Sequence, residues 1–206
     1  MPGMRLSRRS LLTGMMLWPA APALARTQAG LAAAAGGAVN PVLVARALGA
    51  IARLHGALWS VDVVAIADFG LPSAVPRLHL IDILAGTTTS LRVAHGRGSD
   101  PDHSGMLTRF SDVPGSNATA EGAYLTGELY SGVHGTSRRL IGLDAGNANA
   151  DARAIVIHAA WYADAALIAR QGMLGRSDGC FAVAPADIAT LLARLGRGRM
   201  LYAGRA

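Results

Sequence analysis

Short apolar runs, each bounded by turn-forming residues, constrain this chain more than any other feature. Val61–Phe69, Arg77–Leu84 and Ser90–His95 are rich in Val, Ile and Leu, and clusters of Gly, Pro, Ser and Thr separate them. Tyr124–Tyr130, Arg139–Leu143 and Ala154–His158 continue the series, and Met200–Ala203 supplies a last run. Runs of this length and spacing predict strands. Two segments carry a helical period instead. Pro41–Leu58 has apolar residues at Val42, Ala45, Leu48, Ile51, Ala52 and Leu58, and Asn40-Pro41 is a suitable cap and first-turn pair. Pro185–Leu195 places Ile188, Leu191, Leu192 and Leu195 on one face. The expectation is a mostly β domain with a few short helices and an N-terminal helix packed on it. At 206 residues and without an internal repeat, one domain with one sizeable core is expected.

Residues 1–25 have the layout of an export signal: basic to Ser10, apolar from Leu11 to about Ala21, then Ala23-Leu24-Ala25 for a signal peptidase. Arg8-Arg9 within Ser7–Leu12 resembles the twin-arginine signal, whose route carries folded proteins. The apolar stretch is too short for a bilayer of roughly 30 Å, so removal is expected, with no stable membrane insertion. Residues 26–40, rich in Ala and Gly, read as a flexible leader, and 41–206 as the folded domain. The expected location is outside the cytosol, in the periplasm or cell-wall compartment. The formal charge is +6, but beyond residue 25 it is sixteen Arg against thirteen acids, with no basic run interleaved with aromatics. Nucleic acid is therefore not expected as a partner.

Cys180 is the one cysteine. In an exported protein it is an inert buried residue, an intermolecular link or a reactive thiol. Its surroundings point to the third. Gly175–Gly179 forms a turn that enters an apolar run at Cys180, and Gly179 allows close backbone approach and dihedrals that other residues avoid. Successive N–H groups in such a turn can converge on an oxyanion. Ala154–His158 is a buried-looking strand ending on an imidazole. A thiol with a pKa of about 8.5 is mostly protonated at neutral pH, and an adjacent imidazole can take its proton and hold the thiolate as an ion pair.

These residues resemble the L,D-transpeptidase catalytic domains of the YkuD type, in their murein transpeptidase branch. That superfamily has a His, a spacer, then Ser/Thr-His-Gly-Cys; here His158 precedes Ser177-Asp178-Gly179-Cys180. Pro76-Arg77-Leu78, Ala94–Gly98, Thr126-Gly127-Glu128, His134-Gly135, Arg139-Leu140 and Ile155–Tyr162 extend the likeness over roughly 41–203. The resemblance implies a YkuD-like β-sandwich and an enzyme that cross-links peptidoglycan stem peptides through a Cys thioester. It implies Cys180 as nucleophile, His158 as base, and the backbone around Asp178, Gly179 and Cys180 as oxyanion donors. Stem peptides are the implied partners, with β-lactams as acylating inhibitors. Two departures stand out. Asp178 replaces the superfamily His, and the spacer of 18 residues (159–176) is slightly long. A carboxylate there would raise the thiol pKa by like-charge repulsion. Water in place of the acceptor amine would make an L,D-carboxypeptidase or hydrolase. A non-catalytic wall-binding protein is the reading that Asp178 alone favours.

Four further residues are candidate substrate contacts. His134 lies in a Gly-flanked turn, Ser177 orients the turn or touches substrate, and Arg139 and Arg176 offer planar donor forks to a stem-peptide carboxylate. Trp161 and Tyr162 are expected in a pocket wall. Gly96–Ser116 reads as a polar surface loop or the rim of a site. His95–His103 carries metal-capable groups without a zinc spacing, so neither metal nor cofactor is expected.

Overall fold

A computed structural model of the protein describes residues 20–206. Most of the predicted signal segment, including Arg8 and Arg9, lies outside the described residues. The elements in order are α1 (Ala20–Ala35), α2 (Pro41–Leu54), β1 (Val63–Asp68), β2 (Leu78–Asp82), β3 (Thr87–Leu91), β4 (Gly122–Gly132) and β5 (Gly135–Gly142). Then follow β6 (Val156–Ala159), α3 (Ala165–Gln171), β7 (Phe181–Val183), α4 (Ile188–Arg194) and β8 (Met200–Gly204). No helix among the described residues is long and apolar enough to cross a membrane.

The strands form one eight-stranded sheet in the order β3-β2-β1-β8-β4-β5-β6-β7. Neighbours are antiparallel except β1 with β8 and β6 with β7. The sheet curls strongly. Beyond β3 at one edge, the chain reaches β7 at the other, where the Ala94 N–H donates to Ala182 O at 2.8 Å. The curl brings both halves of the sheet around one core, in which Phe69, Leu80, Tyr124, Ile157, Phe181 and Leu201 are buried. This is how a single sheet builds the expected sandwich-like domain.

β1 is buried along its whole length, which explains its apolar run from Val63 to Ala67. Val63, Ala65 and Ala67 face the main core, whereas Val64 and Ile66 face a second core beneath α1 and α2. Asn40 caps α2 by accepting from the Val42 N–H at 2.9 Å. The buried face of α2 is Leu43, Val44, Ala47, Ala50 and Ile51. Val42, expected on that face, is half exposed. Residues 26–40, expected to be a flexible leader, are instead mostly helix. Leu31, Ala34 and Ala35 are buried in the second core, and Gly30 lies so close to Ile83 that a Cβ would sit 2.7 Å from its methyl. Ala and Gly serve here as small surfaces for close packing rather than as chain-softeners.

Candidate active site

β6 and β7 lie side by side in parallel, with Ile157 opposite Phe181 and His158 opposite Ala182. Ile157 and Phe181 fill the main core. His158, one residue on, therefore turns to the other face. Cys180 immediately precedes Phe181, so this register sets it beside Val156, and its thiol donates to Ala154 O at 3.8 Å. One strand across and two residues along, His158 and Cys180 have Cα atoms about 8 Å apart. No hydrogen bond joins imidazole to thiol among the described residues.

His158 is 1% exposed. Its Nδ1 lies 2.9 Å from Ala159 O, so Nδ1 carries the proton and Nε2 keeps the lone pair. Burial, chiefly, and the neighbouring His134 hold the imidazolium form down. The His134 ring stacks on His158 at a centroid distance of 4.1 Å and an interplanar angle of 22°. Burial pushes the Cys180 thiol up; Asp178 adds to this, while the Val156 N–H and Arg153 oppose it. Both shifts favour uncharged forms, so the resting pair is thiol and neutral imidazole. The ion pair anticipated from the residue types is disfavoured by the site's burial.

The turn before Cys180 is fixed from several sides. Ser177 is buried, and its Oγ donates to Cys180 O at 2.7 Å while accepting the Gly179 N–H at 3.2 Å. Gly179 has φ of 114°, and a Cβ there would meet Ala118 O at 2.7 Å. Glycine is thus required on both steric and dihedral grounds. Its N–H, expected to point at an oxyanion, is occupied by Ser177 in this structure. Asp178 turns outward and pairs with Arg97 Nε at 3.0 Å, both side chains being well exposed.

A buried network supports this turn. Arg77 is fully buried and donates to Leu71 O, Val93 O and His95 Nδ1, the last at 2.6 Å. His95 Nε2 then donates to Asp100 Oδ2 at 3.3 Å, and Asp100 also accepts from the Ser104 and Gly105 N–H groups. Burial, then the Arg77 charge, pulls His95 down to about 4. Its backbone O accepts the Ser177 N–H at 2.9 Å, and Ser177 O accepts the Arg97 N–H at 2.8 Å. A Cβ on Gly96 would lie 2.8 Å from Gly179 Cα, so the two glycines let the strands touch. Sequence reasoning did not find this network. It also missed Arg153, whose nearly buried side chain ion-pairs with Asp112 and reaches Ala118 O beside Gly179. No cluster of His, Cys, Asp or Glu suited to a metal occurs among the described residues.

The L,D-transpeptidase catalytic-domain model matches residues 37–203. The chain belongs to that family. The chain is also similar to solved structures. One is an L,D-transpeptidase from Mycobacterium smegmatis (13% identity, TM-score 0.42, covering 69% of this chain and 58% of that one). A second, from Mycobacterium tuberculosis, has 15% identity and a TM-score of 0.44 over 69% and 57%. A third, the helical cell shape determining protein of Campylobacter jejuni, has 11% identity and a TM-score of 0.44 over 70% and 47%. The match thus spans about half to three-fifths of those chains. No curated protein matches.

The remaining candidates disperse around Cys180 and His158. His134 stacks on His158. Ser177 orients the turn. Arg176 donates to the Asp100 and Pro101 carbonyls, which commits that part of its fork to the 97–121 segment. Arg139 lies over the Tyr130 ring, 4.7 Å from its centre. Trp161 is exposed; half-buried Tyr162 is held by the Gly175 N–H, which donates to Tyr162 O at 2.7 Å.

Proposed function

We propose that the chain is an exported peptidoglycan L,D-transpeptidase that works through a thioester on Cys180, with His158 as base. The placement of Cys180 and His158 on the same face of adjacent parallel chain segments, two residues apart along the register, with His158 held as the Nδ1–H tautomer, carries this reading. Rotation about the Cys180 Cα–Cβ bond brings Sγ toward Nε2. Sγ attacks the carbonyl at the L-centre of a stem-peptide diamino acid as its proton passes to Nε2. The carbonyl oxygen becomes an oxyanion, received by the backbone N–H groups of Asp178 and Cys180, since that of Gly179 is held by Ser177. The C–N bond then breaks, the imidazolium proton goes to the departing amine, and a thioester remains. An acceptor amine attacks that thioester, Nε2 takes its proton, and the sulfur leaves to be reprotonated.

Because both groups rest uncharged, proton transfer accompanies attack and no preformed thiolate is required. The same thiol would be acylated by β-lactams; a related L,D-transpeptidase was solved in complex with imipenem. Incubation with muropeptides followed by mass analysis tests the reading. New cross-linked dimers that disappear with Cys180→Ser support it. Shortened monomers without dimers would make the chain a carboxypeptidase, and no change at all would remove the catalytic reading. Export is tested separately: replacing Arg8 and Arg9 with Lys blocks delivery if the route is twin-arginine, and unchanged delivery refutes that route.

A further inference from the structure

The β4–β5 hairpin and α4 form the two walls of a groove of about 560 Å³, lined also by Ala159, the residue that follows the base. Leu129 and Thr136 line the hairpin side, and Ile188, Ala189 and Leu192 the helix side. Arg138 ties the walls together, donating to Gly127 O at 2.8 Å and to Leu192 O at 3.0 Å. His134 and Ala159, the residue whose carbonyl holds the His158 tautomer, also line it. His134 is exposed at the hairpin tip, where Gly135 with φ of 73° completes the reversal. An exposed hairpin tip has no packing need for an aromatic ring, yet this ring covers one face of the buried imidazole.

We infer that His134 is a positioning residue for His158, its ring serving as the plate that fixes the base's plane beside the groove. This rests on His158 being the base. The Nδ1–Ala159 bond fixes one ring atom but leaves the ring free to swing about that anchor. A second ring stacked 4.1 Å away removes the swing and keeps water off that face. Nε2 is then held for a nucleophile arriving from β7. An imidazole plate, unlike a phenyl one, also disfavours the charged form of His158 electrostatically.

The surrounding charges are otherwise engaged. On β5, Arg138 is committed to carbonyls and Arg139 lies over Tyr130. On the β7 side, Asp178 pairs with Arg97, and the Cys180 thiol rests against Ala154. Tyr162 follows β6 with its phenol pushed up to about 12, mainly by burial. The α4 residues of the groove are apolar.

The test uses the full domain with His134→Phe and His134→Ala. The His158 ring is titrated by NMR with labelled histidine, and Cys180 acylation by imipenem is followed across pH. His134→Phe keeps the plate, so the acylation rate should stay within about threefold, while the His158 titration and the acid limb of the rate both move to higher pH. His134→Ala should lose about tenfold in acylation rate, with little change in thermal midpoint because the residue is exposed. A His134→Ala protein with a wild-type rate and His158 titration would overturn the inference. A Phe variant as slow as the Ala variant would equally overturn the plate, giving the imidazole itself the role. The NMR titration reads the stack even if the wild type is not acylated, so failure of the proposed function would be seen separately.

Discussion

Of the three buried histidines, His95 and His158 differ in how their ring nitrogens are engaged. His95 has both ring nitrogens bonded, to Arg77 and Asp100, and its network closes on itself. His158 has one nitrogen bonded to the neighbouring carbonyl, and its Nε2 has no hydrogen-bond partner among the described residues. Both are 1% exposed, and burial is the first cause of the lowered pKa in each. Burial alone therefore does not mark a catalytic histidine. What separates them is hydrogen-bonding capacity: a saturated imidazole is a strut, and one with a spare lone pair beside a thiol can act as a base.

The largest expected effect breaks the His158 side. Cys180→Ser and His158→Ala should each lower transpeptidation by at least about 10³-fold, or roughly 4 kcal/mol, and the double variant should lose little more. Cys180→Ser should unfold in urea within about 1 kcal/mol of the parent, since its sulfur makes only weak contacts. Additive losses would show that the two groups do not act as one unit.

On the other side, His95→Ala should cost about 3 kcal/mol of stability, because it strips partners from the buried Arg77 and Asp100. Urea denaturation at pH 7 measures it, and a cost below about 1 kcal/mol would mean that water replaces the imidazole freely. The pH dependence sharpens this. His95 sits at about 4 in the fold against about 6.5 unfolded. As pH falls below 6.5, the unfolded chain binds a proton that the fold refuses, so stability drops until about pH 4. The parent should lose about 2 kcal/mol between pH 7 and 5 beyond whatever His95→Ala loses over the same range. Equal slopes would contradict the depressed value.

The pattern of strands was legible because turn residues punctuate apolar runs, but edges and caps were not. β3 runs over Thr87–Leu91 rather than Ser90–His95: an edge strand of threonines carries little apolar signal, while Val93–His95 is buried and meets β7 only through an isolated bridge. α1 was missed because an Ala- and Gly-rich segment looks the same whether it packs or not. α3 was missed as well, although its ends carry helix signals: Asp164 accepts from the Ala166 N–H, and Gly172, with φ of 79°, ends the helix. At the site, Cys180, His158 and the glycine turn were local enough to be read directly. The Arg77–His95–Asp100 chain was not, because its members come from separate segments and only the curled sheet joins them. His95 and Asp100, read as metal-capable loop groups, are instead consumed by that network.

The smallest expected effect concerns Asp178, where the chain departs from the superfamily motif. Its carboxylate is exposed and already paired with Arg97, so its push on the thiol is screened. Asp178→Asn should retain transpeptidation and speed alkylation of Cys180 at neutral pH by about threefold or less. A large loss of activity with an intact circular dichroism spectrum would make that carboxylate a catalytic group.

In the proposed reaction Cys180 carries the acyl group while His158 moves the proton. Peptide-mapped mass spectrometry of protein incubated with muropeptides and quenched in acid tests this at the reacting atom. A hydroxylamine-labile stem-peptide adduct is expected on the peptide containing Cys180, absent from Cys180→Ser and formed far more slowly in His158→Ala. An adduct on another residue, or continued turnover by Cys180→Ser, would contradict it.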